Sequence, residues 1–170
     1  RVVLASLRRL SDGADRVARI LLVPIGIGFI LVVFLGVLTR YVLHAPIVSS
    51  IELARISFVW AAFLGASICF KGEKHTQFSF LLDALSGRAR GALKVVIALL
   101  SVGFFAFLVV KGAQMTQLVQ ATYFPALGWS QLWLYLPLPL CAAFMLCHAL
   151  AFLARDLRVL ARGGEPGGTA

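Results

Sequence analysis

Four long apolar stretches constrain the fold of this chain more than any other feature of its sequence. They run at about residues 20–39, 51–70, 92–110 and 132–154. A helix needs roughly 20 apolar residues, at about 1.5 Å per residue, to cross about 30 Å of hydrocarbon. Only 14% of the 170 residues are charged, whereas soluble domains have about a quarter. The sequence therefore predicts a single all-α integral membrane domain, residues 1–170, with four transmembrane helices.

The lysines and arginines predict how these helices are oriented. Five lie before the first span, five between the second and third, and three after the fourth, against three on the other side. Because short cytoplasmic loops are enriched in Lys and Arg, both termini are predicted to be cytoplasmic. These residues flank the apolar stretches and form no single basic face, so the net charge of +9 does not indicate nucleic-acid binding.

Two basic segments outside the spans carry apolar residues at helical spacing. Residues 1–19 predict a short amphipathic helix on the membrane surface. Residues 76–91, between the second and third spans, predict an amphipathic arm in the interface plane. The side chains assigned to the membrane interface around this arm are Lys71, Lys74, His75, Phe78, Phe80, Asp83, Arg88 and Arg90. The Gly- and Pro-rich tail, residues 163–170, is predicted to be disordered.

Ionisable side chains within the predicted spans are few, and such residues are candidates for functional sites. Glu52 and Arg55 lie three residues apart near the start of the second span, where they can share a helix face. They are either a mutually neutralised pair, a contact with a partner subunit, or a substrate or proton site. His148 is the only histidine within a span, and haem ligation commonly needs a second one. We therefore expect His148 to be packed or hydrogen-bonded.

The sequence contains no motif that indicates an enzyme, a metal site or a cofactor. Its three cysteines, Cys69, Cys141 and Cys147, lie in apolar segments and are expected to be small buried hydrophobic residues. Gln114 and Gln117 belong to a polar stripe that either faces a partner or forms a solvated helix end. Secondary transporters usually have repeated halves around a midplane site. This chain shows no such repeat, so we expect that it does not transport a solute by itself.

The segment ELARISFVWAAFLGASICFKGEKHTQFSFLLDAL, residues 52–85, resembles the small, DctQ-like membrane subunit of tripartite ATP-independent periplasmic (TRAP) transporters. The matching elements are Glu-Leu-Ala-Arg, Phe-x-Trp, Leu-Gly-Ala, a basic residue, a histidine and Leu-Leu-Asp. The later segment PALGW, residues 125–129, is similar to that family as well. The likeness covers roughly residues 15–155. Two positions in the arm depart from the family pattern, namely Gln77 and the pair Ser86-Gly87.

The resemblance implies a small accessory or scaffold subunit of a sodium-coupled transporter that imports organic acids across the bacterial inner membrane, and not an enzyme. In this family a large multi-span permease subunit carries the sodium and substrate sites, and a periplasmic binding protein delivers the substrate. No cofactor is therefore expected in this chain. The side chains proposed to contact a partner are Glu52, Arg55, Trp60, Gln114 and Gln117.

Two periplasmic connectors, residues 41–50 and 112–131, are the candidate surfaces for the binding protein. Two alternatives from other functional classes remain. The first is a haem-bearing membrane anchor of a redox enzyme. The second is a small self-sufficient exporter that dimerises and uses Glu52 as its essential intramembrane acid.

Overall fold

The chain is a helical bundle in the computed structural model, which describes residues 2–72 and 87–161. Its helices are α1 (Val2–Tyr41), α2 (Val48–Gly72), α3 (Gly87–Val119), α4 (Leu132–Tyr135) and α5 (Pro137–Ala161). Among the described residues, four helical segments are long and apolar enough to cross a membrane. This confirms the predicted all-α membrane fold with four spans.

The first helix differs from the prediction in its extent. Residues 1–19 were expected to form a separate surface helix, but α1 continues without a break through 40 residues. An ion pair within the helix, Arg19 Nε to Asp15 Oδ2 at 3.0 Å, lies just before the expected boundary. Pro24 lies well inside α1. Neither glycine nor proline separates the charged half from the apolar half at residue 19, so the helix has no local reason to end there.

Two prolines interrupt the fourth span near its start. Proline lacks a backbone N–H, so Pro137 and Pro139 each remove one hydrogen bond from the helical ladder. The helix is broken at Leu136, between α4 and α5. The Leu136 N–H still donates to the Leu132 carbonyl at 2.9 Å, so the chain keeps its direction across the break.

Helix α5 lies at the centre of the bundle. It packs against α1, α2 and α3, while α1 and α2 also pack along one another. One core cluster joins Ala18, Leu64 and Cys141 from three different helices. The other contains Phe105 of α3 and Met145 of α5. The cysteine expectation thus holds for Cys141, which is buried, whereas Cys69 lies on the exterior.

Large apolar side chains cover the exterior of the bundle. Along α1 alone, Val23, Ile27, Ile30 and Phe34 are all more than half exposed. Each such side chain would cost about 1.5–3 kcal/mol to leave in water instead of in an apolar environment. This surface is therefore suited to lipid or to another membrane subunit.

Two predicted segments lie wholly or mostly outside the described residues. Of the arm, residues 76–91, only the end is described, and residues 87–91 are the beginning of α3. Of the side chains assigned to the arm, Lys71 and Arg90 are described. The side chains outside the described set are Lys74, His75, Phe78, Phe80, Asp83 and Arg88. The tail, residues 163–170, also lies outside it.

Candidate functional site

The connector between α3 and α4 forms a compact hairpin loop, residues 122–131. The Gln131 N–H donates to the Thr122 carbonyl at 2.7 Å, and the Phe124 N–H donates to the Trp129 carbonyl at 2.8 Å. Gly128 takes a φ of +68°, a left-handed conformation that glycine adopts at no steric cost. The Phe124 side chain is buried beneath the loop, at 3% exposure. The loop therefore has a defined conformation of its own.

The carboxylate of Glu52 binds the tip of this hairpin loop. Its Oε2 accepts a hydrogen bond from the Leu127 N–H at 2.8 Å. Both carboxylate oxygens lie 3.2 Å from the Ala126 nitrogen. Successive backbone N–H groups in a turn form a favourable anion site, and hydrogen bonds to an ionised group are the stronger kind. Glu52 thus attaches the loop to the first turns of α2.

Arg55 does not share in this arrangement. In the part of the chain that the structure describes, no ion pair links it to Glu52, and its side chain is exposed. The pairing alternative therefore finds no support in the geometry. Glu52 serves an internal contact, and Arg55 remains on the outer surface.

Trp60 makes a second contact between α2 and the start of the fourth span. Its indole Nε1–H donates to the Trp133 carbonyl at 2.9 Å. In a regular helix that carbonyl would accept from the N–H four residues later, but residue 137 is a proline and has none. The indole therefore supplies the donor that the proline removes. The sequence contains both signals, but only the fold shows that they meet.

A close approach between α3 and α5 lies below the hairpin loop. A Cβ placed on Gly112 would lie 3.1 Å from both Cδ and the backbone nitrogen of Pro139. Glycine is thus the residue that allows these two helices to meet here. The neighbouring Lys111 donates to Gln114 Oε1 at 3.2 Å, within α3. Gln114 and Gln117 both lie exposed on α3. They are not part of the contact of Glu52 with the loop or of Trp60 with α4.

A second polar cluster lies at the other end of the bundle, where α1, α2 and α5 meet. The Ser11 hydroxyl and His148 Nδ1 are 2.6 Å apart. Lys71 Nζ lies 2.8 Å from Asp12 Oδ1 and 3.4 Å from Asp15 Oδ2. We call these five residues the polar layer. It joins the charged half of α1 to the ends of the neighbouring spans.

The polar layer shows what His148 and Lys71 do. His148 is fully buried and hydrogen-bonded, which confirms the expectation for it. The position of Lys71 at the membrane interface beside the arm stays a prediction, and its ammonium group binds carboxylates of α1. The sequence offered one signal for this contact, since Asp12 and Asp15 are the only acidic residues of α1. Within residues 2–72 and 87–161, no cluster of three or more His, Cys, Asp or Glu side chains is placed to hold a metal ion.

Comparisons with known proteins relate this chain to membrane transport. Residues 29–159 match the family model described as tripartite ATP-independent periplasmic transporters, DctQ component. The sialic acid TRAP transporter small permease protein SiaQ of Vibrio cholerae is 26% identical over 154 residues, covering 91% of this chain and 89% of that protein. A putative TRAP transporter small permease protein of Haemophilus influenzae is 27% identical over 107 residues, covering 63% and 66%.

A third relative is a longer protein. The sialic acid TRAP transporter permease protein SiaT of Haemophilus influenzae is 30% identical over 111 residues. The match covers 65% of this chain but only 18% of that permease. A segment similar to this chain therefore occurs within a much larger permease polypeptide.

Proposed function

Because the chain belongs to the family of DctQ components of tripartite ATP-independent periplasmic transporters, we propose that it is the accessory subunit that braces a large permease subunit. The protein is a multi-pass protein of the bacterial inner membrane. One structural observation supports the bracing role most directly. The ionisable side chains Glu52, Lys71 and His148 all bind other parts of this same chain. In this proposal they stabilise the fold of a subunit that does not itself carry the solute.

The partner in this proposal is a large permease subunit. The relative SiaT supports this, because it carries a segment like this chain within a longer permease. The exposed side chains Arg55, Gln114 and Gln117 are the proposed contacts with that subunit. Glu52 and Trp60 act in the same proposal indirectly, by fixing the hairpin loop and the start of the fourth span.

Transport itself belongs to the other components in this proposal. The large subunit carries the sodium and organic-acid sites, and a periplasmic binding protein delivers the substrate. The hairpin loop is the proposed docking surface for the binding protein on this chain, because it has a defined backbone and is anchored by Glu52.

The two alternatives are less well supported by the contacts. A haem anchor of the kind considered needs paired histidines, and His148 is the only histidine within a predicted span. An exporter that depends on Glu52 needs that carboxylate on a solute pathway, but the carboxylate is bound to loop N–H groups. The Glu52 carboxylate is therefore engaged by a contact within the fold.

Reconstitution of the purified components tests the proposal. Proteoliposomes that contain the large subunit and this chain, with binding protein and a sodium gradient, should take up a radiolabelled organic acid. Omission of this chain should abolish or strongly reduce uptake, and this chain alone should give none. Transport by this chain alone that Glu52→Gln abolishes would establish the exporter and overturn the proposal. A Soret absorption band from the purified chain would instead favour the redox anchor.

A further inference from the structure

Two charged residues that flank different spans lie at the same height, by which we mean the same position along the axis of the bundle. Arg19 precedes the first apolar stretch, and Lys111 follows the third. Helices α1 and α3 run in the same direction, because one span reverses the chain between them. Arg19, at the start of the first span, and Lys111, at the end of the third, must therefore face opposite sides of the membrane, whichever way the protein is oriented.

The contacts with α5 establish this equality of height. Ala18, next to Arg19, packs in one cluster with Cys141. Gly112, next to Lys111, lies against Pro139. Pro139 and Cys141 are two residues apart on α5, within one helical turn.

The same registers hold along the length of the helices. Ser11, seven residues before Ala18, contacts His148, seven residues after Cys141. At the far end of α3, a Cβ placed on Gly91 would lie 2.9 Å from Leu160 Cδ1. Both α1 and α3 therefore run antiparallel to α5, and each keeps the same register with α5 at two separate contacts. The equal height of Arg19 and Lys111 thus follows from the packing along whole helices and not from a single crossing point.

The apolar stretches of α1 and α3 are consequently displaced along the bundle axis. The stretch at residues 20–39 begins at about the height where the stretch at residues 92–110 ends. Their centres differ by about 20 residues, or about 30 Å at 1.5 Å per residue. Helices α1 and α3 flank α5 on different sides, so their axes are separated by at most about 20 Å, two interaxial distances of 8–10 Å. An upright bundle cannot place both stretches in one hydrocarbon layer of about 30 Å.

We propose that the bundle crosses the bilayer at a steep tilt, with its helices about 50° from the membrane normal, beyond the usual range of about 0–40°. The surface that contacts lipid is then an oblique band, which runs from the outer half of α1 to the inner half of α3. Ile30 and Leu100, at 66% and 69% exposure, lie near its midline on those two helices. This inference goes beyond the proposed function and does not depend on it.

Helix lengths and polar positions support the tilt. A helix inclined by about 50° needs about 30 residues to cross the hydrocarbon, instead of about 20. Here α1 has 40 residues and α3 has 33. In the tilted bundle, the part of α3 beyond Lys111 leaves the hydrocarbon, and with it the exposed Gln114 and Gln117. The charged half of α1 projects from the opposite face.

Nitroxide depth measurements test the tilt with two pairs of exposed sites on α1 and α3. The full chain is reconstituted in phospholipid nanodiscs, with its three native cysteines replaced by alanine and single cysteines introduced for labelling. Val23 and Met115 lie at equal heights along the bundle axis, whereas Ile30 and Leu100 differ in height by about 30 Å. Depth is read from the relative accessibility of each nitroxide to oxygen and to a water-soluble nickel chelate.

The tilted and upright placements predict opposite patterns. In the tilted bundle, Met115 lies about 15 Å nearer the outer surface than Val23, while Ile30 and Leu100 differ in depth by less than about 10 Å. In an upright bundle Val23 and Met115 have equal depths and the other pair differs by about 30 Å. That upright pattern would overturn the proposal.

A distance between two labels across the bundle shows whether each labelled variant has folded. The Val23 and Met115 labels are first measured together by double electron–electron resonance, which should give a short, single distance across the bundle. Val17 and Val110, a second exposed pair at nearly equal height, replace them if that distance is broad. A long distance in both pairs would also overturn the proposal, because the helix register on which it depends would be wrong.

Discussion

Removal of the Glu52 carboxylate should release the hairpin loop. The carboxylate accepts from Leu127 at 2.8 Å and from Ala126 at 3.2 Å, and no other side chain contacts these two N–H groups among the described residues. Hydrogen bonds to charged groups contribute about 1.5–3 kcal/mol each, less where solvent reaches them. Since the Ala126 bonds are long and exposed, we expect Glu52→Ala to cost about 2 kcal/mol of loop stability.

This loss of loop stability should raise the rate of amide hydrogen exchange in the loop. About 2 kcal/mol corresponds to roughly 30-fold more frequent opening, at about 1.4 kcal/mol per tenfold. Hydrogen–deuterium exchange of a peptide that covers residues 122–131, measured in nanodiscs, should therefore accelerate by about that factor. Glu52→Gln keeps one carbonyl acceptor but loses the charge, so we expect a cost of about 1 kcal/mol and roughly 5-fold faster exchange.

Arg55→Gln is the matched control, because it changes a charge one turn along the same helix without touching the loop. It should leave exchange of the loop unchanged. If Glu52→Ala also leaves it unchanged, the carboxylate does not hold the loop. If Arg55→Gln accelerates exchange as much as Glu52→Ala does, the effect comes from charge near the helix start and not from the hydrogen bonds.

Three further substitutions test the other contacts, each by thermal unfolding in detergent. Trp60→Phe should lower stability by about 1–2 kcal/mol, because it leaves the carbonyl freed by the proline without a donor; an unchanged midpoint would contradict this. Gly112→Ala should destabilise the packing of α3 against α5 by about 1–3 kcal/mol, whereas Gly103→Ala, with nothing within 4 Å of its Cβ position, should not. Ser11→Ala should cost about 1–3 kcal/mol, because it leaves the buried His148 Nδ1 without its partner, and a neutral effect would show that the imidazole finds another partner.

The number of spans could be predicted from the sequence because it depends on composition alone. Each apolar stretch of about 20 residues must leave water, and nothing else in the chain can bury it. The boundaries were harder to predict. The first span was expected to start at residue 20, where the apolar pattern begins, yet the helix itself starts at Val2. The apolar pattern indicates which residues prefer lipid to water, whereas a helix continues wherever no residue breaks it.

The contacts of the candidate site could be predicted only in part. Glu52 and Trp60 could be identified as unusual from their types and positions, but the groups that they bind could not be predicted. Glu52 binds N–H groups of the backbone, which every residue except proline carries, so the sequence holds no signal for which ones it meets. Lys71 was assigned to the interface because lysines often lie there, and its carboxylate partners lie about 60 residues away in the chain.

The stagger of the helices depends on information that the apolar pattern does not contain. Hydropathy treats each span separately, and it gives no account of which turn of one helix packs against which turn of the next. In this fold the registers depend on small residues at the contacts with α5, namely Ala18 on one side and Gly112 and Gly91 on the other. At Gly112 a larger residue would meet the ring and backbone of Pro139, so it favours a shift of α3 along α5. In the proposed tilted bundle, the helix registers at these contacts therefore set which parts of α1 and α3 extend beyond the bilayer.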